Sequence, residues 1–240
     1  MTKSGYIFIA FILWIFISFP ALAQIEINSF GAGISYWHRT YSGVDERSFL
    51  INDQQESPFR PGALMPTVSA EVRLIGELAL DGRIGLWATT FTSEGTSAQG
   101  AIIREEIDQR IVPLSLGGIY TFRHILPDIF NAFVGAGVSR YYIRNSMERI
   151  VYNAGGSLPA QVFKGNNLGL YGRLGLEYMI APQVGLVFEG RYHTGSYNQV
   201  RLSAPNSSPE PVKVSLQGVE AGISLRYSLF PMFGRRYGRY

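Results

Sequence analysis

The sequence predicts an all-β protein: an eight-stranded antiparallel transmembrane β-barrel with short periplasmic turns and long extracellular loops. Three observations carry this. An export signal opens the chain, eight stretches alternate with a period of two, and the links between them alternate long and short. Composition narrows the field further. Apolar residues make 46% of the 240 and charged residues 16%, below the roughly 25% charge of an average soluble domain. With 13% aromatics the chain is too apolar for disorder. It has no cysteine, hence no disulfide and no thiolate site. His38, His124 and His193 lie far apart, so neither a metal centre nor a cofactor is expected. The net charge of +3 is too small to argue for nucleic acid. Among the basic residues only Lys3, Lys164 and Lys213 are lysines. That arginine excess needs a cause.

Residues 1–23 read as a signal peptide. Lys3 supplies the positive start, Ile7 to Phe19 is apolar apart from Ser18, and Ala21-Leu22-Ala23 fits a cleavage site before Gln24. The apolar run stops at Pro20, short of the roughly 20 residues a membrane helix needs. The barrel is then expected over 24–230, with a basic aromatic tail at 231–240.

The eight stretches follow in order. The first, 29–40, sets Phe30, Ala32, Ile34 and Tyr36 against Gly31, Gly33, Ser35 and Arg39. The second, 66–76, sets Val68, Ala70, Val72 and Leu74 against Ser69, Glu71 and Arg73. The third, 82–92, sets Ile84, Leu86 and Ala88 against Arg83, Gly85 and Trp87. The fourth and fifth, 109–122 and 130–143, carry Leu114, Leu116, Tyr120 and Phe122, then Phe130, Ala132, Val134 and Val138. The sixth, 167–179, sets Leu168, Leu170, Leu174, Leu176 and Tyr178 against Gly169, Tyr171, Arg173, Gly175 and Glu177. The seventh, 184–197, sets Leu186, Phe188 and Tyr192 against Glu189, Arg191 and His193. The eighth, 214–228, sets Val219, Ile223, Leu225 and Tyr227 against Glu220, Gly222 and Arg226. Such lengths meet the roughly 9–11 residues needed to cross a bilayer at a tilt. An even count closes without an unpaired edge in lipid.

The polar links 41–65, 93–108, 144–166 and 198–213 read as extracellular loops. The short links 77–81, 123–129 and 180–183 read as periplasmic turns. This orientation collects Phe30, Tyr120, Phe122, Phe130, Tyr178 and Tyr227 in a periplasmic aromatic belt. Tyr36, Tyr142 and Tyr192 fall toward the outer rim. The opposite face carries Glu71, Arg73, Arg83, Arg173, Glu177, Glu189, Arg191, Glu220 and Arg226. Eight strands leave room only for side chains inside, and charges held there must pair. Arginine binds carboxylates through a planar fork and stays ionised, which accounts for its excess. The 180–183 turn places Arg173 nearly opposite Glu189.

Segments such as Phe30-Gly31-Ala32-Gly33-Ile34-Ser35-Tyr36, Phe133-Val134-Gly135-Ala136-Gly137-Val138 and 218–227 resemble small eight-stranded outer-membrane proteins. The resemblance is to the OmpA-barrel and OmpX type, and more narrowly to the outer membrane protein β-barrel domain proteins of Bacteroidetes. It covers about residues 25–230. It implies an outer-membrane location in a Gram-negative bacterium and a role among adhesins, envelope anchors or accessory subunits. Tyr227 and Phe230 resemble the terminal aromatic signal of such barrels, although ten further residues follow.

Function is expected on the surface rather than in catalysis. The partners expected are outer-membrane lipid, lipopolysaccharide and an envelope protein, with no nucleic acid. Loop 41–65, with Tyr41, Arg47, Phe49 and Phe59, mixes aromatic and charged residues as interfaces do. Two alternatives remain open. A narrow gated pore would use the interior charges. A lipid A-modifying barrel, resembling the deacylases, would need His193, Ser196 and Glu220. Its spacing departs from that group's pattern, and His193 and Glu220 share the inward face. A lipocalin-like barrel would reverse the polarity of the two faces.

Overall fold

The structure, a computed structural model, describes residues 26–40, 61–96, 100–122, 130–152, 156–201 and 210–229. The signal segment, the 231–240 tail and the loop residues Tyr41, Arg47, Phe49 and Phe59 lie outside them.

The described residues form eleven strands: β1 (Glu26–Arg39), β2 (Gly62–Ile75), β3 (Leu78–Gly85), β4 (Trp87–Thr96), β5 (Ile102–Phe122) and β6 (Phe130–Val151), followed by β7 (Gly156–Ala181), β8 (Val184–His193), β9 (Ser196–Arg201), β10 (Glu210–Ser215) and β11 (Gly218–Ser228). β3 and β4 are one wall strand, interrupted at Leu86. The gap in their ladder with β5 falls beside Pro113, which has no N–H to donate. β9 and β10 form a separate hairpin. The remaining eight wall strands pair antiparallel in a ring, closed by β1 against β11. The predicted architecture and strand count are therefore present.

Burial is inverted relative to a soluble protein. Leu64, Val68, Leu116, Leu168, Leu170 and Leu174 are exposed, whereas Glu71, Arg83, Arg173, Glu177 and Glu220 are buried. Alternation along each strand puts one set outside and the other in the lumen. Glycines on the lumen face make room for large neighbours. Gly117 and Gly137 stand opposite each other across β5 and β6. A Cβ on Gly117 would meet the Tyr171 hydroxyl at 2.5 Å.

The wall is uneven. β5, β6 and β7 run 21, 22 and 26 residues, against 10 for β8 and 11 for β11. Pairing of β5, β6 and β7 continues as far as Ile103, Val151 and Gly156. Much of the expected loops 93–108 and 144–166 is therefore strand. A third expected loop, 198–213, contains most of the β9–β10 hairpin. It leaves the wall at Gly195, whose φ of +142° suits glycine alone. Thr194 makes the last ladder contact there, donating its N–H to the Leu170 carbonyl at 2.8 Å. Beyond it the hairpin turns inward and buries Tyr197, Val214 and Leu216.

Candidate functional site

The lumen is filled in three levels. At the periplasmic end Arg226 lies between Glu71, at 3.4 Å, and Glu177, at 3.5 Å. Asn28 donates to Glu71 at 2.9 Å and Asn131 to Glu177 at 3.4 Å. The Phe133 ring sits between two guanidiniums, 5.6 Å from Arg226 and 5.0 Å from Arg173.

The middle level is ionic. Arg173 pairs with Asp81, and Arg191 reaches Asp81 at 3.7 Å and Glu189 at 3.3 Å. Arg83 grips both oxygens of Glu220, donates to Ser35 Oγ at 3.2 Å and lies 3.6 Å from Glu189. Asp81, Arg83, Arg173, Arg191 and Glu220 are buried and Glu189 is partly so, so the pairing replaces much of the water these charges lose. A space the size of a water molecule remains between Asp81, Arg83, Arg173, Glu189 and Arg191. Arg173 Nη2 and Arg191 Nη1 have no hydrogen-bond partner among the described residues.

Above these ions His193 connects charge to aromatic packing. Its Nε2 lies 2.7 Å from Glu220 Oε2, and its Nδ1 lies 3.1 Å from the Tyr141 hydroxyl. A neutral ring that donates from Nε2 and accepts from Tyr141 satisfies both. Trp37 stacks on Tyr141 with centroids 5.9 Å apart and meets Trp87 edge-on, also at 5.9 Å. The upper level then closes with amides. Arg39 donates to Gln109 at 2.7 Å and to the Ser215 carbonyl at 2.6 Å. Gln109 and Asn145 both donate to the Tyr197 hydroxyl, at 3.0 and 3.1 Å. The hairpin is thereby bonded down onto β5 and β6.

Most of the sequence-derived interior charges meet in this network: Glu71, Arg83, Arg173, Glu177, Glu189, Arg191, Glu220 and Arg226. Arg73 does not. It is half-buried at the periplasmic rim, with no ion pair among the described residues. The register offsets by two residues the pair expected as neighbours, Arg173 and Glu189. Arg173 stands opposite Arg191, and Glu189 stands opposite Gly175. A bulge between Met179 and Ala181 and the two-residue turn Pro182–Gln183 set this offset. Arg173 still reaches Glu189 diagonally, at 4.0 Å. Asp81 was missed because it fell in a presumed turn. Extending the Arg83 face by two residues would have found it.

His193 and Glu220 come together, but His193 bonds Tyr141 rather than Ser196. Among the described residues no three His, Asp or Glu side chains could hold a metal.

Outside, Phe30, Tyr120, Phe122, Tyr178 and Tyr227 are exposed and Phe130 partly so. Phe30 faces Tyr227 across β1 and β11, and Phe130 faces Tyr178 across β6 and β7 with rings 5.1 Å apart. From Phe130 to Arg140 the outward face of β6 climbs about 25 Å, at a rise of about 3.3 Å per residue and a tilt of about 40°. That is the height of a lipid-facing band.

No protein-family model and no curated protein matches the chain. Solved structures do. The outer membrane protein OprG from Pseudomonas aeruginosa superposes with a TM-score of 0.50 at 14% identity, over 85% of this chain and 97% of that one. A major outer membrane protein from Thermus thermophilus gives 0.46 at 14%, over 83% and 98%. Neisserial surface protein A gives 0.45 at 17%, over 82% and 96%. The fold is that of the small outer-membrane β-barrels. With its apolar girdle, the chain is placed in the outer membrane of a Gram-negative bacterium.

Proposed function

We propose that the protein is a sealed outer-membrane barrel whose work is done on its exterior, as a surface-binding protein or an accessory of an envelope complex. It is not an enzyme on this reading. The observation that carries the proposal is the filled lumen, ionic at membrane depth and roofed by Trp37, Trp87, Tyr141 and the hairpin residues Tyr197, Val214 and Leu216. Neither a solute path nor a catalytic cleft is left among the described residues. The Tyr141–His193–Glu220 chain supports the same reading, because all three groups are buried among wall strands and reach neither lipid nor water.

The surface offered to a partner is the sheet that β4–β7 raise above the apolar band. Its outward positions are mixed: Arg104, Glu106, Asp108, Ser146, Glu148 and the exposed Ile102 and Ile150. Charged and aliphatic groups on a rigid sheet suit protein recognition. The resemblance to Bacteroidetes barrel proteins and to the OmpX type belongs with this proposal, as do lipopolysaccharide and an envelope protein as partners.

Site-specific photocrosslinking in cells tests it. A crosslinker at Glu148 is expected to give a discrete protein adduct, and one at Val134, in the girdle, only lipid. No protein adduct from Glu148, Asp108 or Ile150 would overturn the partner reading. Channel steps in planar bilayers would overturn the sealed lumen.

A further inference from the structure

The outer wall carries a second feature, at the height where the apolar band ends. Residues facing each other across a ladder lie about 5 Å apart. Arg110 on β5 faces Arg144 on β6, and Arg144 faces Lys164 on β7. Three cations therefore stand side by side on the outward face. All three are exposed, and none forms an ion pair among the described residues. Two residues below, Tyr142 stands between Val112 and Asn166. Two further down, Arg140 stands between Leu114 and Leu168, and it donates to Asn166 Oδ1 at 2.9 Å while covering the Tyr142 ring at 5.6 Å.

Like charges set opposite one another in a sheet repel. The acids of this face do not relieve the row. Asp108 lies one outward position above Arg110 and accepts from Thr90 Oγ1 at 2.6 Å. Above it Glu106 stands opposite Glu148, and Glu106 lies 3.9 Å from Arg104. Going up the wall, the outward side chains therefore pass from aliphatic to basic to acidic. The basic row lies about 10 Å above Arg140, by the same rise and tilt. This is headgroup height for a bilayer whose hydrocarbon meets Leu114, Leu116, Val138, Leu168 and Leu170.

We propose that Arg110, Arg144 and Lys164, with Arg140 beneath them, bind the phosphate groups of an outer-leaflet glycolipid whose acyl chains lie along the β5–β7 girdle. Continuity decides for a lipid over a soluble anion. The cations and the aliphatic strip share the same three strands, so one molecule with a phosphorylated head and apolar tails covers both. Guanidinium groups take phosphate oxygens in pairs, and the lysine adds a point charge. The Arg140–Tyr142 contact builds the floor on which the head rests. The inference depends on the barrel lying in an outer membrane and is independent of any protein partner.

The test uses the folded full chain in dodecyl maltoside, titrated with diphosphoryl lipid A and followed by native mass spectrometry. The triple variant R110Q/R144Q/K164Q removes the charges from exposed positions and relieves their repulsion, so it is expected to fold. Lipid A is expected to bind it at least 10-fold more weakly than the natural chain. Removing both phosphates from the lipid should cause a similar loss with the natural chain and almost none with the variant. In phosphatidylcholine vesicles the variant should resist unfolding at least as well as the natural chain, and added lipid A should stabilise only the natural chain. Equal binding by the two proteins, or equal binding of the dephosphorylated lipid, would overturn the site. Competition by millimolar inorganic phosphate with no preference for lipid A would overturn the lipid assignment and leave a free-phosphate site. A variant that failed to fold would be replaced by R144Q alone, expected to give a smaller loss of the same phosphate-dependent kind.

Discussion

The lower lumen is filled by ions carried on wall strands, and the upper lumen mainly by rings and amides from wall strands and the β9–β10 hairpin. Arg83, Arg173, Arg191 and Arg226 interleave with Glu71, Asp81, Glu177, Glu189 and Glu220 at the depth of the apolar girdle. Trp37, Trp87, Tyr141, Gln109, Asn145 and Tyr197 occupy the level of the outer rim and above. At membrane depth these charges are largely buried, so each needs an opposite charge beside it. Near the rim the hairpin covers the lumen, amides bonded to a tyrosine hydroxyl fill most of it, and the charges there are few: Arg39, held by Gln109 and the Ser215 carbonyl, and the Glu105–Arg149 pair at 2.6 Å. Losses in the two levels should therefore differ in kind as well as in size.

The largest effect is expected from breaking one ionic pair. Glu220→Leu leaves Arg83 without its main partner and removes the carboxylate from His193. A loss of about 3–5 kcal/mol is expected in urea unfolding from lipid vesicles, because a buried charge is stranded. The double variant Arg83→Met/Glu220→Leu should recover at least half of that loss, since an apolar pair can replace a buried ion pair at little cost. If the double variant were as unstable as the single one, the pair would matter for its shape and not its charge.

Trp37→Ala tests the upper level. It removes a fully buried ring from between Trp87, Tyr141 and His193. About 3–4 kcal/mol should be lost through the cavity left behind. No second substitution of charge should restore it, in contrast to the ionic level. Tyr197→Phe is milder. It deletes the hydroxyl that accepts from Gln109 and Asn145, for about 1 kcal/mol per lost bond. Its clearer readout is proteolysis at the hairpin, which should quicken while the wall stays intact.

The alternation of the eight stretches was legible because lipid outside and ions inside impose opposite demands on successive residues. Where lipid ends, that demand ends too, and the sequence falls silent. On β6 the outward residues past Tyr142 are Arg144, Ser146 and Glu148, and the inward ones are Asn145, Met147 and Arg149, so neither face is apolar. The strand continues to Val151 through backbone pairing and through single polar contacts such as Arg149–Glu105 at 2.6 Å, which residue pattern does not report. The interior charges were legible from parity, but their partners were not. Arg173 and Arg191 stand opposite each other because of a bulge near Met179 that no local composition announces. The hairpin was missed for a related reason. Residues 196–201 and 210–215 are too short and too polar to show a period, and their role comes from Tyr197, Val214 and Leu216 reaching distant strands.

The smallest effects should come from charges outside both levels, and they sharpen the comparison by their size. Arg73 shares the inward parity of Glu71, yet it sits half-buried at the rim without an ion pair among the described residues. Arg73→Gln should change unfolding by no more than about 0.5 kcal/mol, as surface substitutions do. Glu106→Gln, which loosens an exposed pair at 3.9 Å, should change it as little, and raising salt should abolish even that. Glu220→Leu should keep its full effect in high salt. Equal salt sensitivity for Glu106→Gln and Glu220→Leu would mean that water reaches the middle of the lumen, and the contrast between an ion-filled centre and a covered rim would then be lost.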